Sequence, residues 1–272
     1  MHHSKLQPGL FAQTGAHNLL LMGIVLITGA TAGFGQACAE TFAAKGFDVI
    51  ITGRRKDRLE ALQTQLTQEF GANVLPLNFD VRDEKEVAAV LGNIPEEWKA
   101  VDILVNNAGL AAGLSTIDEG SISDWDAMID TNVKGLLYVS RTVIPWMRAR
   151  TTGHIINIGS TAAKHVYAKG NVYCASKAAV DAISQGMRID LLPYRIKVTA
   201  VHPGAAETEF SLVRFKGDEQ KAKDVYNGFI PLSAQDVADV VYYCTTLPPH
   251  VCINDLVVTP LQQANAYYID KN

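Results

Sequence analysis

The 272-residue chain is poor in cysteine and has no excess of basic residues, and both shortages exclude classes of protein. Its four cysteines are scattered without a C-x-x-C pair, which argues against a disulfide framework and against a zinc site. They are typical of free thiols in a reducing compartment, so we expect a cytoplasmic protein. The seven histidines form no H-E-x-x-H cluster, and we predict no catalytic metal. A net charge of −4 argues against nucleic acid or an anionic membrane as a partner.

The N-terminal apolar run lacks the features of a membrane segment and of a secretory signal. It covers residues 19–27, too few to span a bilayer, and it leads into a glycine motif without a cleavage site of small residues. We interpret its second half as a buried first strand. We expect residues 1–22 to be a disordered leader, with Met22 a candidate translation start, and residues 23–272 to form one domain.

Apolar strand patterns alternate with helix patterns along the rest of the chain. Strands are predicted at 23–28, 47–53, 72–80, 101–107, 152–160, 195–204 and 253–260, and helices at 34–46, 55–70, 84–94, 123–148, 171–191 and 233–247. Nearly continuous apolar strands separated by helices indicate a parallel sheet that is covered on both faces. Because crossovers between parallel strands are right-handed, we predict a single α/β domain with a Rossmann-type doubly wound sheet.

A glycine-rich turn follows the first predicted strand and opens a helix. Its spacing is G-x-x-x-G-x-G, which differs from the general G-x-G-x-x-G dinucleotide fingerprint. Glycines at such a turn let the backbone approach a pyrophosphate at the helix N-terminus, although an ordinary strand–helix turn is the alternative. The predicted cofactor contacts in this loop are Gly29, Thr31, Ala32, Gly33, Phe34 and Gly35.

The end of the second predicted strand indicates which dinucleotide binds. Sites that prefer NAD place an acidic side chain there for the ribose 2′-hydroxyl, but the nearby acid, Asp48, lies at the opposite end of the strand. Arg54 and Arg55 stand there instead, and their guanidinium groups suit a phosphate and can stack on adenine. Solvated residues of the next helix are the alternative interpretation. We predict NADP(H) as the cofactor.

Tyr173 and Lys177 are four residues apart in a predicted helix, so they share one face, and Ser160 ends the strand before it. A cation beside a tyrosine stabilises phenolate and lowers the pKa of the phenol. The three residues therefore form a candidate acid–base site for moving a proton to or from an alcohol. A Tyr-x-x-x-Lys pair alone is a weak signal, because such pairs are common on solvated helix faces.

Together these motifs resemble the classical short-chain dehydrogenase/reductase family. TGATAGFG at 28–35, NNAG at 106–109, Asn132, Ser160, Tyr173, Lys177 and Pro203-Gly204 occur in the order and spacing of that family, from about residue 23 to the C-terminus. The stretches GRR at 53–55, HIINIGSTA at 154–162 and TEFSLVRFKGD at 208–218 resemble the NADP-dependent 3-hydroxy acid dehydrogenases, also called serine or allo-threonine dehydrogenases.

The resemblance implies four catalytic residues. Tyr173 would be the general acid/base, and Lys177 would hold the nicotinamide ribose and lower the pKa of Tyr173. Ser160 would hydrogen-bond the substrate oxygen, and Asn132 would hold a water that connects Lys177 to solvent. Two of them have a structural alternative: Asn132 could satisfy local backbone groups and Ser160 could cap a turn.

The resemblance also implies cofactor contacts beyond the glycine loop. Asp80 and Val81 would flank the adenine, Asn106 and Asn107 would bound the adenosine ribose, and the segment with Pro203, Gly204 and Thr208 would line the nicotinamide; Tyr173 and Lys177 would also touch the cofactor. Asn106 and Asn107 could alternatively be ordinary turn formers. We interpret His202 as a packing residue at the strand end.

An acidic substrate requires a cation in its pocket, and Arg214 is the predicted substrate contact besides Ser160 and Tyr173. Lys216, Lys164 and His165 are further candidates, and Arg214 could instead be a loop anchor or a subunit contact. The resemblance implies that the substrates are L-serine, L-allo-threonine, 3-hydroxypropionate or their oxidised aldehyde or keto forms. Pocket shape separates such substrates poorly, because one methyl group is worth only about 1–3 kcal/mol.

Other functions remain as alternatives. A reductase of sulfoacetaldehyde or of neutral ketones would use the same chemistry. A non-catalytic NADP-binding sensor is a further alternative, which the presence of all four implied catalytic residues opposes. The tail after Thr259 is similar to tails of the family that pack across a subunit interface, so the resemblance implies a homotetramer.

Overall fold

The computed structural model describes residues 22–271, and its centre is one sheet of seven parallel strands. The strand order is β3-β2-β1-β4-β5-β6-β7. The strands are β1 Met22–Ile27, β2 Phe47–Gly53, β3 Val74–Asn78, β4 Val101–Asn106, β5 Gly153–Ile158, β6 Ile196–Pro203 and β7 Asp255–Val258. The predicted Rossmann-type fold is confirmed. The leader predicted over 1–22 lies outside the described residues except for Met22, which begins β1.

Helices cover both faces of the sheet. They are α1 Gly33–Ala44, α2 Lys56–Phe70, α3 Glu84–Gly92, α4 Ile122–Ile129, α5 Leu136–Arg150, α6 Asn171–Leu191, α7 Glu209–Arg214, α8 Glu219–Asp224 and α9 Ala234–Thr245. Short 3₁₀ turns occupy Glu96–Lys99, Thr161–Ala163 and Leu192–Tyr194. Within residues 22–271, none of these helices combines the length and the apolar character needed to cross a bilayer.

Successive residues of β1 face opposite layers, as the two-residue period of a strand requires. Val25 and Ile27 pack with Phe42 of α1 and with α9, whereas Leu26 packs with Val143 of α5 on the other face. All five side chains are fully buried. Burying each such side chain stabilises the fold by roughly 1.5–3 kcal/mol, which fixes the strand ends that carry the site.

The predicted helix at 123–148 is interrupted. A π-helical turn, Asp130–Gly135, separates α4 from α5 and contains Asn132. Hydrophobic periodicity does not reveal one wider turn, and such turns often mark functional sites.

The short helices α7 and α8, between β6 and α9, are also absent from the sequence prediction. Each has only six residues, too short for a recognisable helical period.

Candidate active site

The carboxyl ends of the parallel strands meet in one cleft of about 500 Å³. β1 and β4 are neighbours at the point where the strand order reverses, and ligands of doubly wound sheets bind in the crevice there. The predicted site residues that line this cleft are Gly29, Thr31, Ala32, Gly33, Phe34, Arg54, Arg55, Asp80, Val81, Asn107, Ser160, Tyr173, Lys177, Pro203, Gly204, Thr208 and Arg214. Gly35, Asn106 and Asn132 do not line it.

Tyr173 and Lys177 lie one turn apart on α6, as predicted, and Ser160 follows β5 in the same cleft wall. Both α6 side chains are buried, with 8% of Tyr173 and 5% of Lys177 exposed. The Lys177 ammonium donates to the Ile158 carbonyl oxygen at 2.8 Å. The Ser160 hydroxyl accepts from the Ala162 amide at 3.1 Å, so this serine also caps the turn behind it.

The electrostatics of Tyr173 differ from the expectation. Burial raises the pKa of Tyr173 well above its ordinary value, and the Ser160 hydroxyl and the Arg214 guanidinium oppose that rise only in part. The Lys177 ammonium, which was expected to lower this pKa, is directed to the Ile158 carbonyl oxygen. Burial also lowers the pKa of Lys177 to about 8. At neutral pH the phenol is therefore protonated and can act as an acid toward a carbonyl oxygen.

Asn132 contacts the segments that carry Leu110 and Lys177 in the cleft wall. Its amide nitrogen donates to the Leu110 carbonyl and to Ser176 Oγ, at 2.8 and 2.9 Å, and its Oδ1 accepts from the Leu110 amide at 2.8 Å. Asn132 thus satisfies backbone groups, as the structural alternative supposed. These groups are not local, however, because Leu110 lies 22 residues away in the chain. Ser176 precedes Lys177, so Asn132 positions the helix segment that carries the lysine. The proton-relay role stays a prediction.

Gly35 and Asn107 pack against the backbone of the glycine loop and support its conformation. Gly29 has a φ of 67°, and a Cβ on Gly35 would lie 2.3 Å from the Gly29 carbonyl oxygen and 2.4 Å from Asn107 Nδ2. Asn107 Nδ2 itself donates to the carbonyl oxygens of Thr28 and Gly29 at 2.8 and 3.1 Å. Gly35 therefore supports the loop by allowing close backbone packing and does not line the cleft.

The role expected of Asn106 needs correction. Its side chain is 4% exposed and donates to Ser140 Oγ and to Asn157 Oδ1, both at 2.9 Å. Adjacent strand residues point to opposite faces, so Asn107 reaches the cleft while Asn106 joins a buried polar network between β4, β5 and α5. Asn106 does not bound a ribose in this arrangement.

The arginines after β2 lie at the exposed end of the cleft. Arg55 donates to Thr31 Oγ1 through Nε at 3.1 Å and Nη2 at 2.8 Å, and Arg54 lies 3.8 Å from Asp80. Two further residues join them that were not predicted: the carboxylate of Glu209 pairs with Arg55 at 2.9 Å and with Arg58 at 2.7 Å. Arg58 could have been found, because it lies one helical turn after Arg54, but nothing local indicates Glu209.

The turn after β6 is held by two more unpredicted side chains. Gln263 Oε1 accepts from the Ala205 amide, and the Tyr226 hydroxyl donates to the Ala206 carbonyl, both at 2.7 Å. Gln263 comes from the C-terminal tail, so the tail helps to shape the wall that contains Pro203.

Arg214 is the predicted substrate cation that lies beside Tyr173. Its guanidinium carbon is 5.7 Å from the ring centre of Tyr173 and 5.4 Å from that of Tyr167. Its Nε donates to the Gly113 carbonyl at 3.3 Å, so Arg214 also anchors a loop, as the alternative proposed.

The rival cations do not line the cleft. Lys216 pairs with Asp124 at 3.0 Å, Lys164 pairs with Asp181 at 2.9 Å, and the His165 ring faces Tyr267.

His202 is fully buried, as a packing residue should be, but it also contacts the backbone of Ser160 through Nδ1, at 3.2 and 3.3 Å. Its Nε2 faces Asp255 at 3.4 Å and Asp181 at 3.7 Å. The ligand atoms of these three residues lie within 4.8 Å of one another, a spacing that a metal ion could use. The Lys164 ammonium already binds both carboxylates, and the three residues do not line the cleft.

Comparison with known proteins identifies the family. A profile of the family described as short chain dehydrogenase matches residues 23–218. The chain belongs to this family.

Two curated relatives extend the likeness over most of the chain. It is 48% identical to the NADP-dependent 3-hydroxy acid dehydrogenase of Escherichia coli strain K12 over 244 residues, 89% of this chain and 97% of that protein. It is 45% identical to sulfoacetaldehyde reductase 2 of Chromohalobacter salexigens over 251 residues, 92% of this chain and 99% of that protein.

A solved structure of a dehydrogenase is also similar to this chain over most of its length. The closed form of a serine dehydrogenase complexed with NADP⁺ matches with a TM-score of 0.85 and 46% identity, covering 92% of this chain and 99% of that one. The family assignment made from the motifs is confirmed.

The residues of the cleft fit a dinucleotide. The glycine loop can lie against a pyrophosphate, and Arg54 and Arg55 can meet a phosphate at the exposed end. At the buried end, Gly109 lines the cleft, and a Cβ there would crowd Asn132 Oδ1 at 3.2 Å and Lys177 Nζ at 3.4 Å. As an oxidoreductase of this family, the protein would use the bound cofactor for hydride transfer and its own side chains for the proton.

Proposed function

We propose that this protein is an NADP-dependent dehydrogenase that interconverts small 3-hydroxy acids and their semialdehydes or 3-keto acids. The observation that carries the proposal is the position of Arg214, whose guanidinium carbon lies 5.7 Å from the ring centre of Tyr173. An acid group bound to Arg214 would place a hydroxyl two carbons away near the phenol. Charged hydrogen bonds of this kind are short and strong, so they orient a small substrate well.

Tyr173, Ser160 and Lys177 would have separate roles in the reaction. During reduction Tyr173 would give its phenol proton to the substrate carbonyl oxygen, and during oxidation its phenolate form would take the proton of the substrate hydroxyl. Ser160 would hydrogen-bond the same oxygen. Lys177 would hold the nicotinamide ribose. The predicted dependence on NADP is confirmed at the level of the relatives, since the 48% identical dehydrogenase is named for NADP and the matching serine dehydrogenase structure contains NADP⁺.

Sulfoacetaldehyde reduction is a second candidate, which the 45% identical reductase favours. A sulfonate would use the same guanidinium of Arg214 as a carboxylate, so the cleft geometry does not separate the two substrates.

Initial rates test the proposal. NADP⁺ and NAD⁺ reduction would be measured with L-serine, L-allo-threonine, 3-hydroxypropionate, isethionate and a neutral secondary alcohol. We expect turnover of the 3-hydroxy acids with NADP⁺. In Arg214→Gln the KM for these acids should rise at least about tenfold, as expected for the loss of a charged hydrogen bond, while the neutral alcohol is unaffected. Activity on the neutral alcohol alone would contradict the proposal.

We also propose that the protein is a cytoplasmic homotetramer. The tail exposes Leu261 completely and Tyr267 and Tyr268 by 63% and 65%, an apolar surface suited to a neighbouring copy. Light scattering on the purified protein should give a mass four times 29.5 kDa, and a monomer would contradict this assembly.

A further inference from the structure

Glu209, the first residue of α7, occupies the arginines at the exposed end of the cleft. Its Oε2 accepts from Arg55 Nη1 at 2.9 Å and its Oε1 accepts from Arg58 Nη1 at 2.7 Å. Each carboxylate oxygen therefore binds one guanidinium. Arg58 and Arg55 lower the pKa of Glu209, so the carboxylate is ionised at neutral pH.

The same donors suit a ribose 2′-phosphate. Arg55 is fixed beside the glycine loop by its two bonds to Thr31 Oγ1 and a third to the Thr31 carbonyl at 3.3 Å. Arg58 Nη1 also approaches that carbonyl, at 3.5 Å. Two adjacent guanidiniums with fixed forks match an anion that presents several oxygens. A phosphate bound to them would lie against the Glu209 carboxylate, and like charges at contact distance repel.

Helix α7 connects the exposed end of the cleft to the catalytic end. Thr208 Oγ1 accepts from the Phe210 amide at 3.2 Å and caps the helix, and the Phe210 ring lies 5.7 Å from the ring of Tyr173. Arg214 ends the helix and also lies beside Tyr173. A displacement of Glu209 therefore moves the first turn of the helix that carries two neighbours of the catalytic tyrosine.

We propose that Glu209 is a specificity-determining residue that competes with the cofactor 2′-phosphate for Arg55 and Arg58. NADP displaces the carboxylate and releases the first turn of α7, whereas NAD, which has a hydroxyl in place of the phosphate, leaves the ion pairs intact. A ligand shifts an equilibrium only by its differential affinity for the two states, and here the 2′-phosphate makes the difference. The inference rests on the proposed use of NADP but not on the identity of the substrate.

Two probes isolate the 2′-phosphate. Adenosine 2′,5′-bisphosphate and adenosine 5′-monophosphate differ only in that group, and both lack nicotinamide, so they report on the exposed end alone. Calorimetry would give their Kd values for the wild type, for Glu209→Gln and for the control Glu219→Gln. Glu219→Gln removes the same charge from α8, where the Glu219 carboxylate lies 3.8 Å from the Lys223 ammonium.

We expect Glu209→Gln to bind the bisphosphate about fivefold more tightly, which corresponds to about 1 kcal/mol for an exposed ion pair, and to bind the monophosphate unchanged. Glu219→Gln should bind both probes like the wild type. Weaker bisphosphate binding in Glu209→Gln would show that Glu209 helps to hold the phosphate and would overturn the proposal. An equal change for both probes, or the same change in the control, would also overturn it.

Amide hydrogen exchange of residues 209–214 gives a second readout. Exchange in the wild type should accelerate with the bisphosphate but not with the monophosphate, and in Glu209→Gln it should be fast without either. Slower exchange with the bisphosphate would contradict displacement of the carboxylate. If the wild type binds both probes equally, then Arg55 and Arg58 do not bind the 2′-phosphate, and Glu209 has nothing to compete with. Failure of the protein to oxidise 3-hydroxy acids would contradict the proposed substrate but would not affect these binding results.

Discussion

The two ends of the cleft are built in opposite ways. At the catalytic end, Tyr173 and Lys177 are 8% and 5% exposed, and Lys177 is fixed by a hydrogen bond to a backbone carbonyl. At the phosphate end, the side chains of Arg54, Arg55 and Arg58 are 59%, 42% and 43% exposed and are engaged in ion pairs. Exposed ion pairs are worth about 0–1 kcal/mol each and exchange partners easily, whereas buried polar contacts are costly to break.

This difference gives the two ends of the cleft different properties, a rigid catalytic end and a phosphate end that can select between anions. In the proposed mechanism the buried end fixes the distances that proton transfer requires, and the exposed end releases one anion and accepts another. Salt screens exposed charges far more than buried ones, so cofactor affinity should depend on ionic strength more than the chemical step does.

The largest effect is expected at the buried end. Tyr173→Phe removes the hydroxyl proposed to carry the proton and keeps the ring that packs against Phe210. General acid–base catalysis contributes about 10²–10⁴-fold, so kcat should fall by that factor at every pH between 6 and 9. Steady-state rates at saturating cofactor measure it. A kcat within tenfold of the wild type would show that another group moves the proton.

A smaller effect, confined to binding, is expected at the exposed end. Arg55→Ala removes a guanidinium fixed at Thr31, and charged hydrogen bonds contribute about 1.5–3 kcal/mol each, so the Kd for NADP⁺ should rise about 10- to 100-fold. The Kd for NAD⁺ should stay within about twofold, because NAD⁺ lacks the phosphate that Arg55 would bind.

Fluorescence titration measures both constants. Lys56→Ala is the control, because Lys56 follows Arg55 and is 73% exposed, paired with Glu60. Equal weakening of both cofactors by Arg55→Ala would mean that the arginine supports the loop and not the phosphate.

The smallest effect concerns stability. Burial lowers the pKa of Lys177 to about 8, from an ordinary 10.5, so below pH 8 the fold contains a charged group whose burial is unfavourable. Lys177→Met should therefore raise the free energy of unfolding at pH 7, by about 0.5–2 kcal/mol after the lost charged hydrogen bond to Ile158 is subtracted.

The stability difference between the wild type and Lys177→Met should depend on pH. Between pH 8 and 10.5 the unfolded chain retains a proton on this lysine that the folded chain has lost, so wild-type stability rises with pH and the gap to Lys177→Met closes. Urea unfolding at pH 7 and pH 10 measures the gap. Lys85→Met, an exposed change on α3, is the control, and a variant less stable than the wild type at both pH values would contradict this account.

The sequence predicted the buried end better than the exposed one, for a physical reason. Tyr173 and Lys177 are related by one helical turn, and Ser160 by the end of an apolar strand, so local patterns place them. Glu209 pairs with Arg55 across 154 residues, and no local pattern reports such a contact. The direction of Asn106 was also missed, because a shift of one residue in a strand exchanges its two faces.

The π turn at Asn132 is a third kind of failure. Its side chain binds Leu110 and Ser176, so the wider turn is selected by tertiary contacts and not by helix propensity. The motif places Asn132 in the site, but only the structure shows that it holds the wall behind Lys177.

One measurement tests the separation of the two ends most directly. The Kd for NADP⁺ and the single-turnover rate of hydride transfer at saturating NADP⁺ would be determined for Tyr173→Phe and Arg55→Ala. The account predicts that Tyr173→Phe binds NADP⁺ within about twofold of the wild type but transfers hydride at least about 10²-fold more slowly. Arg55→Ala should show the reverse, with weak binding and a rate near that of the wild type once saturated. If either substitution changes both quantities by similar factors, the two ends do not act independently and the account is wrong.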